Sequence, residues 1–180
     1  MPTLQNINPV AEINPGLAAG AEIDETGQYR YHLWRTWSLA PLTKHRITWI
    51  MLNPSTADGF KNDATLRQII ALSKIWGFIG LDVFNMFALR STDPRGLLTH
   101  HDPVGPLNDQ RLRIASTSDV VVLAWGAWGS KFPQRVNAIH DLLSSGYTSK
   151  YSQVMCLGFT KSGQPVHPLR LPHNTPLVPY

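Results

Sequence analysis

Ile47-Thr48-Trp49-Ile50-Met51-Leu52-Asn53-Pro54-Ser55-Thr56-Ala57-Asp58 changes character at a single point. Up to Leu52 the residues are almost all apolar and show no alternation, the pattern of a short strand covered on both faces. At Asn53-Pro54 the segment turns polar. A residue before proline is pushed out of the helical region, so the chain bends sharply at the carboxyl end of the strand. A buried strand leading into a polar turn is the opening unit of a parallel α/β sheet.

The same unit recurs on both sides. Asn62 or Asp63 is placed to cap a helix running to about Trp76, with Leu66, Ile69, Ile70 and Ser73 on one face and Gly77 as its stop. Leu81–Leu89 reads as a second buried strand, Thr92 or Asp93 starts a short helical turn, and Leu107–Ser116 is a helix. Val120–Trp125 is a third strand, Ser130–Leu143 a helix closed by Gly146, and Gln153–Leu157 a fourth strand before a proline-rich tail. Upstream, Tyr29–Trp37 alternates as an amphipathic strand. The expected fold is therefore a three-layer αβα arrangement around a mostly parallel four-stranded sheet, with right-handed crossovers. Residues 1–28, with Asn-Pro twice and no period, read as an irregular arm or edge element, and 29–180 as a single α/β domain without repeats or linker.

Composition narrows the function classes. Of the 180 residues 43% are hydrophobic and 16% charged, which excludes a coiled coil or a highly charged disordered chain. The single cysteine, Cys156, excludes a disulfide scaffold, a Cys-rich zinc site and a four-Cys cluster. No apolar run approaches a membrane span, and the N-terminus lacks a basic-then-apolar leader, so a cytoplasmic, monomeric protein without membrane contact is expected. The first 28 residues carry four acidic and no basic side chains, leaving 16 basic against 8 acidic in the remainder, a balance of +8. Such a body suits an anionic partner, with nucleic acid first among the candidates.

In a parallel sheet, function collects in the loops at the carboxyl ends of the strands. Four such loops stand out. Asn53-Pro54-Ser55-Thr56-Ala57-Asp58 crowds polar groups beyond what a capped turn needs. Asn85 sits inside an otherwise apolar strand, where its amide must find partners either in a neighbouring loop or on a ligand edge. Trp125-Gly126-Ala127-Trp128-Gly129-Ser130-Lys131 either brings backbone N–H groups toward a phosphate or packs strand closely on helix. His167-Pro168-Leu169-Arg170-Leu171-Pro172 holds a histidine in a proline-stiffened loop. His100-His101-Asp102, in a proline-flanked loop, reads as a solvent-facing cluster, and no metal or other cofactor is expected.

Through Met51–Asp58 the chain from Tyr29 onward is identified as a member of a family of bacterial and phage proteins of unknown function, of the DUF1643 type. More distantly, Ile47–Pro172 resembles the uracil-DNA glycosylase superfamily, and the fold is then expected to be glycosylase-like. Asn53-Pro54 resembles the motif that orients the attacking water in the mismatch-specific enzymes, and Asn85 resembles the asparagine that hydrogen-bonds the base in the uracil enzymes. Ala124-Trp125-Gly126 resembles a Leu-Trp-Gly segment. His167-Pro168 resembles the start of a His-Pro-Ser-Pro-Leu-Ser motif, with Leu171 at the position of the duplex wedge and Leu169 and Arg170 replacing Ser and Pro. Met51-Leu52 also stands where a Gly is usual.

The resemblance implies a DNA glycosylase-like hydrolase that flips a damaged or modified base and cleaves its N-glycosidic bond. Asn53 would orient water, Asp58 would assist it, and His167 would stabilise the leaving base. Asn85 would read the base, with Phe60 and Trp125 against it. Ser55, Lys61, Arg90, Gly126, Lys131 and Arg170 would hold DNA phosphates while Leu171 fills the vacated stack. A hydrolase or transferase acting on free nucleosides or nucleotides, and a non-catalytic nucleic-acid binder, are the rival readings.

Overall fold

The computed structural model describes residues 18–38, 46–55, 57–115, 118–144 and 153–180. Thr56 and Gly146, both singled out above, lie outside the described residues. Among the described residues seven strands form one mixed sheet: β1 (Ala19–Ile23), β2 (Arg30–Thr36), β3 (Arg46–Met51), β4 (Gly80–Asn85), β5 (Val120–Leu123), β6 (Gln153–Cys156) and β7 (Val178–Pro179). Their order across the sheet is β1-β2-β4-β3-β5-β6-β7. β4, β3, β5 and β6 run parallel to one another, while β1, β2 and β7 pair antiparallel at the flanks.

The sheet is thus larger than the four strands expected. The strand expected over Tyr29–Trp37 joins it as β2, while β7 owes its place to pairing with β6 (Cys156 opposite Val178) rather than to any periodicity of its own. The expected arm over 1–28 likewise contains a strand, β1, because Ala19–Ile23 pairs along β2. Acidic residues of this segment are tied to the body: Glu22 receives Arg111 (Nε to Oε2, 2.8 Å), and Asp24 accepts the Tyr29 N–H (2.8 Å).

Four α-helices among the described residues flank the sheet: α1 (Ala64–Ile75), α2 (Gly96–Thr99), α3 (Asn108–Ala115) and α4 (Pro133–Ser144). Asp63 caps α1, its carboxylate accepting the Leu66 N–H at 2.7 Å. The expected Ser130–Leu143 helix is two pieces. A 3₁₀ turn, Ala127–Lys131, precedes α4, which starts at Pro133, where the missing N–H of proline is harmless. The expected strand to Leu89 stops at Asn85, beyond which the chain hydrogen-bonds across loops: Met86 N–H to Met51 C=O (2.8 Å) and Phe87 N–H to Leu52 C=O (3.0 Å).

Alternation along β3 divides the core. Ile47, Trp49 and Met51 face Leu66, Ile69 and Leu72 of α1, whereas Ile50 faces the layer containing Leu112 of α3 and Ile139 of α4. The unalternating hydrophobicity of the opening segment follows from this two-sided cover. Register also levels the carboxyl ends: Met51 lies opposite Asn85, and Leu123 opposite Cys156. Between β3 and β5 the connections diverge, β3 leading to α1 on one face and β5 to α4 on the other. Ligands of open α/β sheets bind at such a divergence.

Candidate active site

A cavity of about 390 Å³ opens at that divergence. Of the residues singled out from the sequence, Asn53, Ser55, Asn85, Trp125, Gly126 and His167 line it. They come from four segments, beyond β3, at the end of β4, beyond β5 and in the proline-rich tail. Its walls are largely apolar, with Leu33, Met51, Leu66 and Val83 among them.

The polar groups are set by local hydrogen bonds. Asn53 donates Nδ2–H to the carbonyls of Pro54 (3.0 Å) and Ser91 (2.8 Å). Two carbonyl acceptors fix the amide orientation and leave Oδ1 as an acceptor. Ser91 returns the tie through its N–H to Pro54 C=O (2.9 Å), so the loops beyond β3 and β4 are sewn together. Asn85 is 2% exposed, and its Nδ2 has no partner among the described residues. Its backbone carbonyl is held by Asn108 Nδ2 at 3.0 Å, which also reaches Met86 C=O. Asn108, fully buried at the start of α3, positions the end of β4, a role the sequence pattern did not single out.

His167 accepts the Leu169 N–H at Nδ1 (3.2 Å), so in the neutral ring the proton is on Nε2. Burial lowers its pKa from the ordinary 6.5, with the Asp63 carboxylate working in the opposite direction. The ring is therefore a neutral N–H donor at physiological pH. Gly126 explains how the loop comes so close: a Cβ on it would lie 3.0 Å from His167 Cβ, and its φ of +75° suits glycine. The pKa shift also sets a pH dependence. Above pH 6.5 the folded and unfolded chains both hold His167 neutral, and the full stability is present. As pH falls through 6.5 toward the lower folded value, the unfolded chain takes up a proton that the folded one refuses, and stability is lost. Urea midpoints at pH 7.5 and 5.5 are expected to differ less in His167→Gln than in the unsubstituted protein. An equal difference in both would remove this assignment.

Two charged residues in the lining, Arg30 and Asp63, were not singled out as functional. Asp63 is legible only as a helix cap and Arg30 only as the polar side of a strand. Arg30 is 5% exposed, and burial brings its pKa down to about 10, Asp63 acting against the fall and Arg90 adding to it. Thr65, Ser91, Thr92 and Trp128 complete the polar and aromatic rim.

Other expected site residues lie elsewhere. Asp58 does not line the cavity. Its carboxylate accepts the N–H groups of Lys61 and Phe60 (2.8 Å each), which hold its pKa below the ordinary value. The polar crowding of the opening loop is in this part a backbone turn. Phe60 is 65% exposed and outside the lining, because that turn carries it outward. Lys61, Lys131 and Arg170 are exposed on the surface, and Arg90 bonds Gly27 C=O (3.0 Å). Leu171 packs into the core beside α1. Leu169 instead sits at the cavity with 40% of its surface exposed, since Arg170 adopts a φ of +74° and reverses the chain between them. Trp125 is buried and donates Nε1–H to Gln164 Oε1 at 2.8 Å, so it is a wall with no free polar handle. Gly129 packs against Trp125 and Gln164, which favours the close-packing reading of the Gly-x-x-Gly segment.

Among the described residues no group of three or more His, Cys, Asp or Glu side chains is placed to hold a metal ion. His100 meets Gln28 (2.7 Å between their Nε2 atoms) and receives the Asp102 N–H, tying its loop together. No described helix is long and apolar enough to cross a membrane.

The family model DUF1643, described as a protein of unknown function, matches residues 30–169. The chain belongs to this family. The DUF1643 match runs from Arg30 to Leu169 and so takes in both cavity residues at its ends as well as Asn53, Asn85 and His167. No curated protein and no solved structure matches the chain.

Proposed function

We propose that the cavity receives a nucleobase swung out of DNA and that the protein hydrolyses its N-glycosidic bond. The observation that carries this reading is Asn85: a buried amide whose Nδ2 has no partner among the described residues, lining the same cavity as Asn53 and His167. A buried donor left without an acceptor costs about 1–3 kcal/mol, and a base carbonyl supplies the missing acceptor. The volume of about 390 Å³ suits a base with its sugar at the mouth.

The chemistry distributes as follows. Asn53 Oδ1 accepts from a water and aims it at the anomeric carbon. The water oxygen bonds to the anomeric carbon as the carbon–nitrogen bond breaks, the base leaves with the electron pair, and the proton the water gives up ends on the departed base. Nε2–H of His167 stabilises the charge gathering on the base. Asp63, a cavity carboxylate where Asp58 is not, lies opposite in charge to an oxocarbenium-like sugar. Leu169 takes the wedge position at the rim, and Lys61, Lys131 and Arg170 are exposed for phosphates. In this reading the fold is a glycosylase-like one.

Oligonucleotides carrying uracil, deaminated, oxidised, alkylated and phage-type modified bases, single- and double-stranded, test the proposal. Alkali-labile abasic sites at one of them are expected, and release from none refutes it. An enzyme of free nucleotides is the second reading, favoured by one observation, the buried Arg30 in the cavity lining.

A further inference from the structure

Strand β2 buries two arginines that differ in a telling way. Arg35 is 7% exposed and uses every nitrogen: Nε to Asn62 Oδ1 (2.9 Å), Nη1 to the carbonyls of Trp34 (2.8 Å) and Gly20 (3.3 Å), and Nη2 to Asp58 C=O (2.7 Å). It is a structural clamp and does not line the cavity. Arg30 is 5% exposed and donates Nη1–H to Ala57 C=O (2.7 Å), but its Nε has no partner among the described residues. None of the ion pairs among the described residues includes it. Asp63 and Asp58 act on it only at longer range, and Arg35 and Arg90 oppose them.

A buried cation requires an anion or a full set of hydrogen bonds. Among the described residues Arg30 has neither, and it lines the cavity. Four buried side-chain atoms lack partners among the described residues, and the two that belong to cavity residues, Arg30 Nε and Asn85 Nδ2, are both donors. Both unpartnered atoms therefore call for acceptors on a ligand. We propose that Arg30 is an oxyanion subsite, so that the ligand carries a carboxylate or phosphate oxygen against the guanidinium while Asn85 donates to a second acceptor. The inference concerns binding alone and does not rest on glycosidic cleavage.

The shared chemistry has two sources, an acidic substituent on a base or the phosphate of a free nucleotide, and calorimetry on the intact protein separates them. Uracil is compared with 5-carboxyuracil, and deoxyuridine with deoxyuridine 5′-monophosphate. One anionic member is expected to bind about tenfold or more tightly than its neutral parent, the scale of a charge-assisted hydrogen bond. A gain for the carboxylated base places the anion on the base, and a gain for the monophosphate places it on the sugar. Arg30→Gln is expected to abolish the gain, and Arg30→Lys, which keeps the charge, to retain part of it. Absence of binding or of any gain in both pairs overturns the proposal, as does a gain undiminished in folded Arg30→Gln. The ligand comparison in the unsubstituted protein decides the matter even if the glutamine variant does not fold. A glycosylase-inactive protein that shows the gain leaves this subsite standing, and a missing gain leaves the glycosylase reading untouched.

Discussion

His167→Ala is expected to lower base release about 10²- to 10³-fold with little change in substrate affinity, the scale of losing one preorganised donor to developing charge. The split follows from geometry. Nδ1 of His167 is engaged by the Leu169 N–H, so only Nε2–H faces outward, and a neutral donor matters most when the base turns anionic. Burial keeps the ring neutral, so it donates without first having to lose a charge. Single-turnover kinetics on the base identified by the panel checks this. A rate unchanged within threefold removes His167 from the chemistry, and an effect confined to KM makes it a binding residue. Asn53→Ala is a less clean probe, because Nδ2 of Asn53 also ties Ser91 and Pro54, and its loss loosens two loops together with the water site.

Gly129→Ala is expected to be the most damaging single-methyl change at the site. The added carbon would lie 2.5 Å from Trp125 Nε1, inside the indole–Gln164 hydrogen bond of 2.8 Å. Trp125 is 1% exposed and has no room to swing. Overpacking of this kind costs about 1–3 kcal/mol, and for a domain of this size melting is expected to fall by about 2–12 °C. Gly126→Ala is a contrasting case. There a φ of +75° with ψ of −174°, a region essentially reserved for glycine, costs a side chain about 1–3 kcal/mol, and the new methyl pushes on His167 Cβ at 3.0 Å. Calorimetric melting and the release assay together distinguish them: Gly129→Ala loses stability first, and Gly126→Ala loses rate beyond its loss of stability. A Gly129→Ala protein melting within 1 °C of the parent contradicts the packing account.

The cavity residues that were legible share one property: each breaks a local pattern. Asn53 ends an apolar run, Asn85 interrupts one, and His167 stands in a proline-stiffened loop. Such residues are visible because an amide or imidazole in apolar surroundings demands a partner. Asp58 breaks the pattern too, yet its demand is met two and three residues away by the N–H groups of Phe60 and Lys61. Local satisfaction and a ligand site look alike in one dimension. Leu169 and Leu171 differ only in which side of a turn they occupy, and that is set by the positive φ of Arg170 between them.

From residue order alone came the alternation of buried strands with capped helices, the membership marked by Met51–Asp58, and four of the polar cavity residues. These depend on short-range physics: periodicity, helix capping and the restriction before proline. The tertiary structure decided the antiparallel flanks, the inclusion of β1, and the entry of Arg30 and Asp63 into the cavity. Arg30 and Arg35 are five residues apart on one strand with the same side chain. Whether a buried guanidinium is a clamp or a binding group depends on which carbonyls and carboxylates the rest of the chain brings within 3 Å of it, and no local pattern records that.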